Sequence, residues 1–124
     1  MGPLPPTHDD RLIWDIWQSQ FTLPAVTVAD ELGVFRAIGD KAMPVAQLAK
    51  SIGADARALG LLLACLASLG LAEKRGGLWA AMPQARIWLH PDAPGYWGPF
   101  LMRFRETIAL HDVLLQAVKS GQRP

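Results

Sequence analysis

One stretch limits this chain more than any other: from Ala58 to Leu69 the only polar residue is Ser68. Asp55 stands just before it, where a short acidic side chain can cap a helix, and Gly70 stands just past its end. Leu59, Leu61, Leu62, Leu63 and Leu66 do not keep to one face at 3.6 residues per turn. A helix that is apolar all round must be covered on more than one side. It is also too short to span a bilayer, which takes about 20 apolar residues. Such a segment belongs at the centre of a helical core, and 124 residues suit one domain built around it.

The flanking sequence says how that domain is laid out. Pro44 suits the start of a helix, where its missing N–H is not needed, and Val45, Leu48, Ala49 and Ile52 follow at helical spacing until Gly53. After the leucine-rich helix come two β-type runs, Leu71 to Arg75 and Leu78 to Met82. Gly76-Gly77 joins them, a pair that accepts the positive φ of a tight hairpin turn. Helix, short turn, helix and hairpin, in that order, predict a mainly α winged helix-turn-helix with a two-stranded β-hairpin wing and extra N- and C-terminal helices. The competing architecture is a three-helix bundle with a long loop.

Upstream, Thr7 and Asp10 read as a capping box for a first helix carrying Leu12, Ile13, Ile16 and Trp17 at helical spacing, with Trp14 on a neighbouring edge. Pro24 is expected to begin a second helix with Ala25, Val28, Ala29 and Leu32 as its apolar stripe. Gly33 should stop it, and Val34 to Ile38 add a short apolar turn. Downstream, Gln84 to Leu89 form one or two helical turns and residues 90–95 a loop. An aromatic segment runs from Tyr96 to Met102, and Leu101, Phe104, Ile108, His111, Leu115 and Val118 stripe a final helix. About residues 1–7 are loose, and the rest of 1–124 is read as a single domain. Hydrophobic residues make up 51% of the chain and charged ones 19%. That is more apolar surface than a domain of this size easily hides, so part of it should meet a partner.

Winged helices often read DNA, but a recognition helix needs Arg, Lys, Asn, Gln or Ser aimed at base edges. The leucine-rich helix has only Arg57 and Ser68 to offer, and the net charge is +1. Lys74 and Arg75 at the wing tip could meet phosphate or simply face water. Binding of nucleic acid is therefore not expected, and neither is a membrane partner. Catalytic signals are absent too: there is no G-x-G, no phosphate-loop pattern and no G-x-S-x-G. His8, His90 and His111 are scattered, and Cys65 stands alone, so no metal ligand set is read. His111 and Asp112, adjacent on a helix, point about 100° apart and make a poor proton-transfer pair. No catalytic, cofactor-binding or metal-binding residue is assigned. A lone cysteine and an N-terminus without signal-peptide character suit a soluble cytoplasmic protein.

The residues carry a further resemblance. Val28-Ala29-x-Glu31-Leu32-Gly33-Val34-Phe35 leads into Met43-Pro44-Val45-Ala46-Gln47-Leu48-Ala49. Then follow Gly53-Ala54-Asp55-Ala56-Arg57-Ala58-Leu59, the leucine-rich helix closing on Ser68-Leu69-Gly70-Leu71, and the wing. This order resembles the N-terminal dimerisation domain of S-adenosylmethionine-dependent small-molecule O-methyltransferases, over about residues 12–124. The resemblance implies a homodimer with Leu12, Ile13, Trp14, Ile16, Trp17 and Phe21 at its interface. It implies that Tyr96, Trp97, Phe100, Met102 and Phe104 line the pocket of a small, aromatic organic acceptor. It also implies that S-adenosylmethionine and the catalytic base belong to a C-terminal methyltransferase domain of a full-length parent, so that this chain alone is not an enzyme. Two other readings stay open at this point: a winged-helix transcription regulator, and a stand-alone dimer binding small molecules near Phe100.

Overall fold

A computed structural model describes residues 9–104 and 118–122. Among them the chain forms α1 (Arg11–Leu32), α2 (Val34–Ile38), β1 (Ala42–Met43), α3 (Val45–Ile52), α4 (Ala56–Ser68), β2 (Ala72–Arg75), β3 (Leu78–Ala81), α5 (Pro83–Trp88) and α6 (Gly98–Met102). The expected winged helix-turn-helix is present. The axes of α3 and α4 meet at 108°, inside the range of helix-turn-helix pairs. The Asp55 carboxylate caps α4 by accepting from the Ala58 N–H at 2.8 Å. At the wing, β2 and β3 pair antiparallel with Arg75 opposite Leu78. The turn residues Gly76 and Gly77 have φ of 54° and 81°, the left-handed values that a two-residue hairpin of this twist requires.

The core gathers where these elements meet. Val34, Ile38, Leu48, Leu63 and Leu66 are its largest fully buried side chains, and Phe35, Leu59 and Trp79 join them. Truncating a buried leucine of this kind to alanine costs about 2–5 kcal/mol. On α4 the buried face is Leu59, Leu63 and Leu66, while Leu62 and Cys65 are half-buried and Leu61 stays 63% exposed. The helix is thus apolar on a side that nothing among the described residues covers.

Four expectations need correction. Pro24 does not start a helix; it lies inside α1, which runs unbroken for 22 residues. Proline there removes one N–H and leaves the carbonyl one turn back without its helical partner. That carbonyl belongs to Gln20 on an exposed stretch, where water can take the place of the lost donor. The buried face of this half of α1 is Ala25, Val26, Thr27 and Ala29, whereas Val28 and Leu32 of the expected stripe are exposed. The two-stranded wing is present as expected, and a further short strand extends its sheet to the order β1-β3-β2, because Ala42 and Met43 pair with Ala80 and Trp79. Asp10, rather than Thr7, is the residue preceding α1; Thr7 lies outside the described residues. Most of the expected final helix, including Ile108, His111 and Leu115, also falls outside them. Its described start differs from the expectation: α6 ends at Met102 and residues 103–104 form a turn.

Candidate functional site

The first half of α1 carries one candidate surface. Every residue from Arg11 to Phe21 is exposed, including Leu12, Ile13, Trp14, Ile16, Trp17 and Phe21, each open over about half its surface or more. Trp14 and Trp17 meet edge to face with ring centroids 5.9 Å apart, and Trp17 meets Phe21 in the same way at 5.2 Å. The Trp14 indole N–H donates to the Asp10 carboxylate at 3.1 Å. The three rings therefore form a ladder whose members hold one another, which lowers the entropy that a partner would have to remove on covering them. Beside the ladder, α1 and α4 enclose a groove of about 740 Å³. Trp17, Phe21 and Gln18 line one side, and Cys65, Ser68 and Leu69 the other.

The second candidate lies around residues 95–104. Tyr96 does not join its aromatic neighbours: its hydroxyl donates to the Asp30 carboxylate at 2.6 Å, tying this segment to the end of α1. Burial raises the Tyr96 pKa to about 12, and the hydrogen bond and negative charge of Asp30 act in the same direction, against a smaller opposing pull from Arg36. The tyrosine ring lies over Gly98, whose missing side chain leaves the space that ring occupies; a Cβ there would overlap the hydroxyl. Beyond it, Trp97, Phe100 and Phe104 form a second edge-to-face ladder at 5.2 Å per step. Met102 is half-buried beside them.

An apolar cleft of about 430 Å³ opens next to this ladder. Of the sequence-predicted pocket residues only Trp97 lines it. Trp88 forms the other aromatic wall, above Val26, Leu71, Leu89 and Leu101, with Gln84 on the rim. Sequence reasoning did not single out Trp88 or Gln84. The available signal was a half-amphipathic turn, Gln84 to Leu89, with two adjacent large apolar residues, Ile87 and Trp88, that are both about half exposed.

The rest of the surface shows less that bears on chemistry. Both basic groups at the wing tip have partners within the chain: Lys74 Nζ sits 5.7 Å from the centre of the Trp79 ring, and Arg75 pairs with Glu73 at 2.8 Å. Among the described residues no group of three or more His, Cys, Asp and Glu side chains could hold a metal ion. No single helix there is long and apolar enough to cross a membrane.

Comparison with known proteins adds a family and a set of related folds. The O-methyltransferase dimerisation domain matches residues 14–91. The chain superposes on human N-acetylserotonin methyltransferase, solved in complex with SAM, with a TM-score of 0.80 and 25% identity over 98% of its own length and 38% of that protein's. It is also similar to the mitomycin 7-O-methyltransferase, with TM-score 0.75 and 24% identity over 91% of this chain and 34% of that one. An O-methyltransferase family 2 protein from Planctomyces limnophilus, solved with apigenin, gives a TM-score of 0.73 and 23% identity over 87% and 33% of the two chains. The last two are similar in fold. The chain thus spans about a third of the length of these enzymes. No curated protein matches it significantly.

Proposed function

This chain belongs to the O-methyltransferase dimerisation domain family, and on that premise we propose that its first helix joins two copies into a homodimer. The observation that carries this reading is the row of exposed apolar side chains from Leu12 to Phe21. Covering the open half of one indole is worth about 2–3 kcal/mol at roughly 25 cal/mol per Å². A ladder of three rings with Leu12, Ile13 and Ile16 beside it therefore offers enough area to offset the entropy of association. The α1–α4 groove next to it, walled by Trp17 and Leu69, gives a second copy's side chains somewhere to enter.

We propose a wider role for the domain as well. In the full-length protein it would cap the pocket of a small organic acceptor, with the Trp97–Phe100–Phe104 ladder and Met102 facing a flat, aromatic hydroxyl compound. S-adenosylmethionine would supply the methyl group. The sequence carries no G-x-G pattern, and in this reading donor binding and the catalytic base fall to a C-terminal methyltransferase domain. The part of the reaction that falls to this domain is to exclude water from the acceptor and to hold two active units together.

Light scattering on the 124-residue chain tests the first step. At micromolar concentration it should give twice the monomer mass. Trp17→Ala should weaken association by at least about 2 kcal/mol, roughly thirty-fold in Kd. A wild-type chain that stays monomeric at high concentration would overturn the dimer reading.

A further inference from the structure

The cleft between Trp88 and Trp97 has properties that neither dimerisation nor capping requires. Its floor is set by buried Val26 and Leu89 and half-buried Leu71 and Leu101. Its two walls are indoles, each close to half exposed. Both are held in place. The backbone N–H of Trp97 donates to the backbone carbonyl of Trp88 at 2.7 Å, which ties the two stretches of chain together, and Phe100 braces the Trp97 ring edge to face. Trp88 lies so close to Gly95 that an added Cβ would stand 2.9 Å from its ring. A rigid, half-open aromatic pair has already lost the freedom that a ligand would otherwise have to remove.

The size and chemistry of the cleft point to one kind of occupant. Its volume lies at the lower end of the usual range for small-molecule sites, about 300–1,000 Å³. Seven of the described residues line it, far short of the 20–30 residues a side of a stable protein interface. None of the seven is charged, so an ion would lose its hydration without compensation. Among the described residues that line the cleft, Gln84 carries the only side-chain amide, and the exposed lining is almost wholly apolar.

We propose that this cleft binds a neutral, planar molecule of about two fused rings, slotted between Trp88 and Trp97 with a hydroxyl or carbonyl directed at Gln84. The site is distinct from the dimer surface on residues 12–21, and Trp97 is the one residue it shares with the acceptor-facing ladder. It places the ligand contacts of this segment at Trp88 and Gln84, a turn of chain away from Phe100.

The test uses the 124-residue chain with its tryptophans labelled with nitrogen-15, titrated with 2-naphthol while the five indole N–H signals are followed. Saturable shifts confined to Trp88 and Trp97, with a Kd of about 0.1 mM or tighter, are expected. Trp88→Ala should weaken binding at least ten-fold while Trp88→Phe, which keeps a flat ring, retains most of it. The signal of buried Trp79 reports that each variant is folded. Leu61→Ala, at an exposed position that lines neither the cleft nor the α1–α4 groove, should leave the affinity unchanged. Shifts confined to Trp14 and Trp17, no saturation up to millimolar naphthol, or equal affinity in folded Trp88→Ala would each overturn the proposal.

Discussion

Along α1, residues 12–21 and residues 25–29 are both mostly apolar, yet they differ in the size of their side chains and in what covers them. The second group, Ala25, Val26, Thr27 and Ala29, is small and buried, with Ala29 fully closed off against the core. The first group holds Trp14, Trp17, Phe21 and three large aliphatics, and all of them are open. Small side chains let α1 approach α2 and α4 closely, so the chain covers that half itself. Large rings stand off the helix and supply area, which becomes useful only when something from outside meets them. The difference separates two kinds of apolar residue in one helix: those that specify the fold, and those that the fold leaves for a partner. Pro24 sits between the two halves, at the point where the helix passes from exposed to buried.

The largest effect should come from placing the same charge in each half. Ala29→Asp puts an unpaired carboxylate into the core and should cost about 3 kcal/mol or more, enough to unfold a marginal domain. Ile16→Asp should leave the stability of the monomer within about 0.5 kcal/mol while abolishing association. Chemical denaturation followed by circular dichroism, paired with light scattering, reads both. Equal damage from the two substitutions would erase the distinction between the halves.

Restoring the missing helical donor tests the junction. Pro24→Ala should return an N–H to the Gln20 carbonyl and stabilise α1 on the order of 1–2 kcal/mol, after allowing for the looser unfolded chain. A rise in melting temperature is the expected outcome. A fall would mean that the proline sets an angle between the halves that the fold needs.

The smallest effect concerns how the buried half is tied to the aromatic segment. Tyr96 is the only tyrosine in the chain, so phenolate absorbance in alkaline solution reports on it alone. The folded chain should titrate near pH 12, against the ordinary tyrosine value of 10.0. The folded state then holds its proton more tightly than the unfolded one. The stability this confers is complete below pH 10 and is lost as the pH rises from 10 towards 12. Asp30→Asn should lower the midpoint by removing the negative charge, and Tyr96→Phe should remove the alkaline loss of stability, at a cost of about 1 kcal/mol at neutral pH. A wild-type midpoint at the ordinary tyrosine value would show that the tie to α1 is not made.

What could be read from the sequence follows from the range of the interactions involved. The Asp55 cap, the helix ends at Gly33 and Gly53 and the Gly76-Gly77 turn are local, and each is where the residue types place it. The helix through Pro24 was not legible, because a penalty of local origin is outweighed by packing of the residues that follow it. Strand β1 is two residues long, too short for alternation to register, and it forms only because Trp79 and Ala80 lie alongside. In the candidate sites, the rings of residues 12–21 were visible as an amphipathic surplus. The Tyr96–Asp30 hydrogen bond spans 66 residues, and the pairing of Trp88 with Trp97 depends on a loop folding back. No periodicity announces either one. Val28 and Leu32 show the converse error: they keep helical spacing with Ala25 and Ala29, yet the helix turns its Val26 edge inward and leaves them exposed.

In the proposed dimer the first half of α1 is covered by a second copy and the second half by its own chain. Amide hydrogen exchange measured across a dilution series separates the two. Protection at residues 14–21 should rise with protein concentration through the dimerisation range, while protection at residues 25–29 stays constant at the level set by global stability. Protection at residues 14–21 that is independent of concentration, whether high or absent throughout, would contradict it.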